Sequence, residues 1–317
     1  MKVLVIGGAG YIGSHVVLAL LDAGYQVTVF DNLSSGSKLN IQKEVSFING
    51  DILNKSDLRK TFNTKFDSVI HLAGLKSVSE SIKNPVLYYE TNVKGSINIL
   101  NAMVVSGVKN LVFSSSASVY GNPTYLPVDE SHQTKPINYY GCTKLIVEKE
   151  LEVYRKKFGI NFVSLRYFNA AGYDLNKRIL DVEKSPANLI PIVMETMVGD
   201  RGCVEIYGGD YETPDGTCIR DYVHVTDISI AHLKSIEYIK KKEKSLIVNL
   251  STGMGTSVKE VIERVGKNLQ YSISDRRDGD PKELVASNKK AFKNLKWVPR
   301  FSDIETIIES MKKVYIK

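Results

Sequence analysis

The stretch KVLVIGGAGYIG, residues 2–13, joins an apolar run to a glycine turn and then to a helical pattern. The run KVLVIG has almost no polar alternation, which predicts a strand covered on both faces, as in a parallel sheet. Its glycines satisfy two spacings at once, G-x-x-G-x-x-G through Gly7, Gly10 and Gly13, and G-x-G-x-x-G through Gly8, Gly10 and Gly13. Glycine is required where the turn is tight and the backbone must come close to a pyrophosphate. The free N–H groups and dipole of the helix that follows then bind phosphate oxygens. Gly7, Gly10, Tyr11, Ile12 and Gly13 are therefore candidate contacts for a dinucleotide cofactor.

Working outward, the same kind of apolar, β-branched run recurs at 27–31, 45–51, 68–74, 111–116 and 162–169. Helical periodicity lies between these runs, at 11–24, 54–63, 85–106 and 139–158. Repeated strand–helix units of this length predict an α/β fold with a Rossmann-type doubly wound parallel sheet. After residue 170 the rhythm breaks. Residues 173–187 read as a long loop, followed by helices near 188–198, 226–240, 257–269 and 302–315 and strands at 204–208 and 246–253. We expect a Rossmann domain over 1–170, with parts of 204–253 able to rejoin its sheet. A smaller carboxy-terminal region over 171–317 completes a cleft.

The end of the second strand supplies an acid, Asp31, about twenty residues beyond the glycine turn, where it can bond the adenosine ribose hydroxyls. Its carboxylate would repel a 2′-phosphate, and no arginine follows in DNLSSGSK (31–38), so NAD is favoured over NADP. Asn32 follows it directly. Asp51 and Ile52, after the third strand, are placed to meet the adenine. Leu72, Ala73 and Gly74 end the fourth strand with small side chains where a cofactor would cross the sheet edge.

The segment NYYGCTKLIVEKELEVY, residues 138–154, predicts an amphipathic helix with Tyr140 and Lys144 one turn apart on one face. Lys144, Glu148 and Glu152 stack along one side, with Leu145 and Leu151 among the buried candidates. Taken alone, a tyrosine and lysine at this spacing also suit an ordinary surface pair. The serine run SSSASVYG (114–121) changes that weighting, because ligands of open parallel sheets bind beyond the carboxyl ends of the strands. A tyrosine titrates near pH 10, and a neighbouring ammonium favours its phenolate. Such a phenolate can take a hydroxyl proton as the carbon beneath is oxidised, with Ser116 bonding the same oxygen.

Composition narrows the alternatives. The chain has 317 residues, 43% of them hydrophobic and 24% charged, as expected of an ordinary globular protein. Its net charge of +7 comes from dispersed lysines, and the one dense run, KKKEK at 240–244, fits a solvated helix end. We therefore expect an anionic small molecule, with no nucleic-acid partner. No apolar run reaches membrane-span length, and the first strand begins at once with no leader, so no membrane association is expected. Cys142, Cys203 and Cys218 are widely spaced, which suits a reducing, cytoplasmic location. The five histidines show no metal-ligand spacing, so no metal is expected.

Taken together, the glycine turn, Asp31, the serine run and Tyr140-x-x-x-Lys144 resemble the extended short-chain dehydrogenase/reductase family. Further stretches are similar to the UDP-glucose 4-epimerase family within it: AGLKSVSES (73–81), LRYFNAAG (165–172), ANLIP (187–191), DGTCIRDYVHV (215–225) and RRDGDP (276–281). The resemblance implies Tyr140 as base, Lys144 as its electrostatic and ribose-binding partner, and Ser116 as third catalytic member. It implies that Lys76 and Asn92 reach NAD, and that Phe168 and Asn169 flank nicotinamide and substrate. Asn188, Leu189 and Tyr207 would meet a UDP-sugar, Arg220 and Arg277 would grip its diphosphate, and Asp280 would hold the uridine ribose. Leu284 falls where such enzymes place a residue beside the sugar's 2-position. A leucine there implies UDP-glucose and UDP-galactose as the main pair, with some room for N-acetylated sugars.

The implied reaction oxidises C4 to a 4-keto sugar, lets the sugar turn about its diphosphate, and reduces the other face. A homodimer through 85–106 and 139–158 is implied as well. The rival readings are a nucleotide-sugar dehydratase, a UDP-glucuronate decarboxylase and a non-catalytic NAD-sensing protein. A dehydratase commonly has Thr-Asp-Glu where this chain has Ser116, Ala117 and Ser118, and sensing relatives commonly lack the Tyr–Lys pair.

Overall fold

In the computed structural model the described residues are 1–316 except 180, 184, 185, 278 and 279. Those five positions, which belong to the long loop and to RRDGDP, lie outside the description.

The first half builds β1 (Lys2–Ile6), α1 (Tyr11–Asp22), β2 (Gln26–Asp31), β3 (Ser46–Asn49), α2 (Lys55–Thr61) and β4 (Ser68–His71). Then follow α3 (Val78–Lys83), α4 (Pro85–Tyr88), a π-helical turn at Tyr89–Lys94, α5 (Gly95–Ser106), β5 (Asn110–Ser116), α6 (Tyr139–Phe158) and β6 (Asn161–Tyr167). The second half adds β7 (Asn169–Ala171), α7 (Leu189–Met197), β8 (Val204–Tyr207), β9 (Ile219–Arg220), β10 (Tyr222–His224) and α8 (Val225–Lys242). It ends with β11 (Leu246–Leu250), β12 (Thr256–Ser257), α9 (Val258–Val265), β13 (Tyr271–Ser274), β14 (Glu283–Leu284), α10 (Lys289–Leu295) and α11 (Ile304–Tyr315).

Seven strands form one parallel sheet in the order β11-β6-β5-β4-β1-β2-β3. The apolar runs do what their pattern predicts, since every residue of β4 and all but the first of β1, β5 and β6 are buried. One sheet face packs on α1 and α8 through Val16, Leu20 and Ile228, the other on α2, α5 and α6 through Leu58, Ile99 and Val147. The chain runs outward from β1 to β3, then restarts at β4 on the other side. The crevice between β1 and β4 is the switch point where such sheets bind ligands.

Several expected boundaries change. The helix expected over 85–106 is α4, a π turn and α5, and the π turn directs Asn92 inward to Leu75 and Thr143. The strand 246–253 shortens to β11 and rejoins the main sheet beside β6. The strand at 204–208 does not rejoin it; as β8 it pairs with β13. On α6, Lys144 and Glu148 face inward and are 6% and 3% exposed, so the charged side of that helix is in part a buried side. A third core cluster, through Val193, Val261 and Ile307, unites α7, α9 and α11 beside the sheet.

Candidate active site

The turn after β1 is made of backbone. Gly7 has φ +85°, and a Cβ there would come 2.4 Å from the nitrogen of Ala73. At Gly13 a Cβ would come 2.1 Å from the Gly7 carbonyl oxygen. Any side chain would force β1, α1 and the end of β4 apart. The N-terminus of α1 has Gly10 as its cap, no side-chain cap bond and no acid in its first turn, which leaves it open to an anion.

Above this turn a cavity of about 600 Å³ runs along the carboxyl ends of the strands. Asp31, Asn32, Asp51 and Ile52 line one end; Ser116, Tyr140, Lys144 and Phe168 line the other. Leu72, Ala73, Gly74 and Lys76 lie between, and Asn169 and Asn188 close the far wall. Asp31 accepts from the backbone N–H groups of Ala9 (2.9 Å) and Leu33 (2.8 Å), so the acid also ties the glycine turn to the end of β2. Asp51 accepts from Asn32 Nδ2 at 3.0 Å. A long cleft with a bare-backbone turn at an uncapped helix end and an acid at one end fits a dinucleotide.

At the other end, Asn138 caps α6 by accepting from Gly141 N at 2.8 Å. Gly141 is needed because a Cβ would lie 2.3 Å from the Ser118 carbonyl oxygen, so α6 rests directly on the turn that follows β5. This seats Tyr140 beside Ser116, whose hydroxyl favours the phenolate form. Lys144 Nζ donates to the Ser114 carbonyl at 2.8 Å and lies 5.1 Å from the Phe113 ring centroid and 5.8 Å from that of Tyr140.

Burial pushes the Tyr140 phenol above its ordinary value, and the Ser116 hydrogen bond only partly opposes it. Burial also draws the Lys144 ammonium down to about 8, against the pull of the Glu148 carboxylate. Among the protein's own groups, burial is thus the largest influence on the phenol.

Several sequence-predicted residues stand outside this cavity. Asn92 sits behind it, accepting from Leu75 N (2.8 Å) and donating to Leu75 O (3.0 Å), which fixes the turn after β4. Leu189 packs in the third core cluster at the start of α7. Arg220 pairs with Asp280 at 3.1 Å, and Leu284 is the register partner of Arg220 in the small sheet β12-β9-β14. Arg277 lies over the Tyr207 ring at 4.1 Å.

Other residues carry no local signal. Lys76 is paired with Glu183 at 2.7 Å, and Asn40 exchanges bonds with the backbone of Asp181 (3.0 and 3.2 Å). These contacts hold Asp181 and Glu183 against the cavity's lining. Among the described residues no group of three or more His, Cys, Asp or Glu is placed to hold a metal, and no helix is long and apolar enough to cross a membrane.

Residues 3–251 match the NAD dependent epimerase/dehydratase family. A UDP-glucose 4-epimerase of Halalkalibacterium halodurans is 46% identical over 98% of this chain and 94% of its own length. A solved UDP-glucose 4-epimerase of Brucella ovis in complex with NAD superposes with a TM-score of 0.94 at 41% identity, covering 98% of this chain and 96% of that one. Another, from Bifidobacterium longum in complex with NAD+ and UDP, gives 0.95 at 37% identity over 100% and 98%. With matches of this length and identity, and a glycine turn, acid and Tyr–Lys helix set around one cleft, the chain belongs to the NAD dependent epimerase/dehydratase family.

Proposed function

We propose that the protein is an NAD-dependent 4-epimerase of UDP-hexoses that interconverts UDP-glucose and UDP-galactose. The observation that carries this reading is Tyr140 beside Ser116 in the same cavity as the bare-backbone glycine turn. The names of the relatives above support the substrate class.

When bound, NAD supplies a reversible two-electron oxidation at C4. The chain's own residues handle protons and position. Tyr140 takes the proton of the sugar 4-hydroxyl and gives it back after the sugar has turned, while Ser116 holds the same oxygen. Lys144, fixed by the Ser114 carbonyl, supplies positive charge beside the phenol. Gly7, Gly10, Tyr11, Ile12 and Gly13 hold the cofactor's pyrophosphate, Asp31 and Asn32 its ribose, and Asp51 and Ile52 its adenine. Leu72, Ala73, Gly74, Lys76, Asn92 and Phe168 shape the rest of its path. Arg220 and Arg277 grip the substrate diphosphate and keep the 4-keto sugar from leaving, so that binding energy serves turnover.

In this reading residues 1–170 with β11 carry the cofactor and 171–317 carry the nucleotide sugar. The molecule is a cytoplasmic homodimer through α4–α6, an assignment supported by the exposed apolar side chains Val86, Tyr89, Val105 and Val153 on those segments.

The test is to incubate the purified protein with UDP-galactose and NAD and to resolve the nucleotide sugars by chromatography. UDP-glucose should accumulate to equilibrium. Absence of UDP-glucose, with carbon dioxide released from UDP-glucuronate instead, would overturn the reading.

A further inference from the structure

Glu148 continues the series Tyr140, Lys144, Glu148 along α6 at four-residue spacing, and it is buried. Its Oε1 accepts from Ser115 Oγ at 2.7 Å, Ser164 Oγ at 2.8 Å and Arg166 Nε at 3.0 Å. Its Oε2 accepts from Arg166 Nη2 at 2.6 Å. Arg166 in turn donates from Nη1 to the Tyr120 hydroxyl at 3.0 Å, which donates to Asn249 Oδ1 at 2.6 Å.

Stability alone is a weak reason for this arrangement, because well-packed apolar residues usually serve as well as a buried ion pair. Its location offers a better one. Ser115 lies between Ser114, whose carbonyl holds Lys144, and Ser116, which adjoins Tyr140. Arg166 lies just before Tyr167 and Phe168, which line the cavity. One carboxylate thus fastens α6, β5 and β6 together at the level where all three carry the site.

We propose that Glu148 is a positioning residue for the C4 chemistry, fixing the register of Tyr140 and Lys144 against Ser116 through its bonds to Ser115, Ser164 and Arg166. This rests on the reading of Tyr140 as the proton acceptor. It has an electrostatic consequence. Lys144 faces Tyr140 and Glu148 on its own helix, buried His71 on β4 and the Ser114 carbonyl on β5, and Tyr167 of β6 adjoins the same pair. Of these, Glu148 is the group that opposes the loss of the lysine's proton. Without its charge Lys144 goes neutral at lower pH.

The test compares the full-length holoenzyme with Glu148→Gln and with the charge-neutral Glu148→Gln/Arg166→Met. The single variant leaves Arg166 buried without its partner and is expected to unfold at a lower temperature; the double variant removes both charges and keeps the fold. Two quantities are read: kcat against pH with UDP-galactose, and the thermal midpoint. In the double variant we expect kcat to fall about 10–100-fold, the size of effect that slight misplacement produces. The alkaline limb should move to lower pH. A folded double variant with wild-type kcat and an unmoved alkaline limb would overturn the proposal. So would a fall in kcat that tracks only the thermal midpoint while the alkaline limb stays in place. Absence of activity in the wild-type protein would instead strike the epimerase reading.

Discussion

The wall that carries Tyr140 and Lys144 rests on β5 and β6, seven residues each, paired in unbroken parallel register from Asn110–Asn161 to Ser116–Tyr167. The wall that carries Arg220 and Leu284 rests on β9, β12 and β14, strands of two residues each. On the first wall Ser116, Lys144 and Phe168 are buried; on the second Arg277 is exposed and Asp280 only half-buried. Proton transfer needs donor and acceptor held within a fraction of an ångström, which a long buried ladder provides. Gripping a diphosphate through guanidinium groups tolerates more movement, because charge attraction falls off slowly with distance. Rigidity is therefore expected to govern kcat on one wall, and charge to govern KM on the other.

The largest effect should come from Tyr140→Phe. The ring and its packing remain, but the proposed proton acceptor is gone, so kcat should fall by roughly 10²–10⁴-fold. Bound NAD and the thermal midpoint should hardly change. Near wild-type turnover would show that the buried wall does not carry the chemistry, and the neighbouring Tyr139 would become the next candidate.

The second effect is on stability and concerns both walls. Burial lowers His71 and His224 to about 3, and His15 and His232 to about 4. Each stays neutral in the folded protein while the unfolded chain takes up protons below about 6.5. Their stabilisation is therefore complete above pH 6.5 and is lost as pH falls towards 4 and 3. At pH 5 each accounts for up to roughly 2 kcal/mol. Denaturant unfolding at pH 7 and pH 5 should differ by several kcal/mol. Equal stability at the two pH values would mean that these histidines protonate inside the folded protein.

What the sequence made legible follows the same division. β1, β4 and β6 announce themselves because a strand buried on both faces must be apolar throughout, a property visible within four to seven residues. The short strands β9 and β14 exist only because distant segments meet, and no local pattern marks a two-residue ladder. The helix α10, sequence KKAFKNL, escapes for a related reason: only Ala291 and Leu295 are buried, too few to set a period. At the site, the glycine turn and the Tyr–Lys spacing are local and readable. The Lys76–Glu183 pair spans 107 positions and is not. Glu148 is the instructive failure, since its spacing was visible but its burial was not. A carboxylate in a run of charges looks solvated until Ser115, Ser164 and Arg166 are brought to it by the sheet.

The third prediction separates the two arginines of the less rigid wall. Arg220 is largely buried and bonded to Asp280, whereas Arg277 lies in the open over Tyr207. A charge-assisted bond is worth about 1.5–3 kcal/mol where water is excluded and less where it is not. Arg220→Met should therefore raise KM for UDP-galactose about 10–100-fold with kcat less affected, and Arg277→Met should raise it by a smaller factor. Steady-state kinetics at two ionic strengths check this. A loss confined to kcat in either variant would break the assignment of charge to binding.

The smallest effect is a difference between two substrates, and it tests whether the short strands shape the sugar pocket at all. Leu284 is half-buried in β14 and in register with Arg220, so a change in its side chain reaches the same neighbourhood as the diphosphate grip. Part of the leucine packs against the main core cluster, which makes a purely structural role the competing account. The two accounts part company in Leu284→Tyr. A larger ring that narrows the space beside the sugar's 2-position should lower kcat/KM for UDP-N-acetylgalactosamine by about tenfold relative to UDP-galactose, within the roughly 1–3 kcal/mol of a modest steric misfit. A ring that only disturbs packing should lower both substrates together and drop the thermal midpoint. The measurement is kcat/KM for both pairs in the wild-type and variant proteins. Parallel losses, or no activity on the acetylated sugar in the wild type, would leave β14 as scaffold and move the search for a size gate to Asn188 and the loop beyond Gly172.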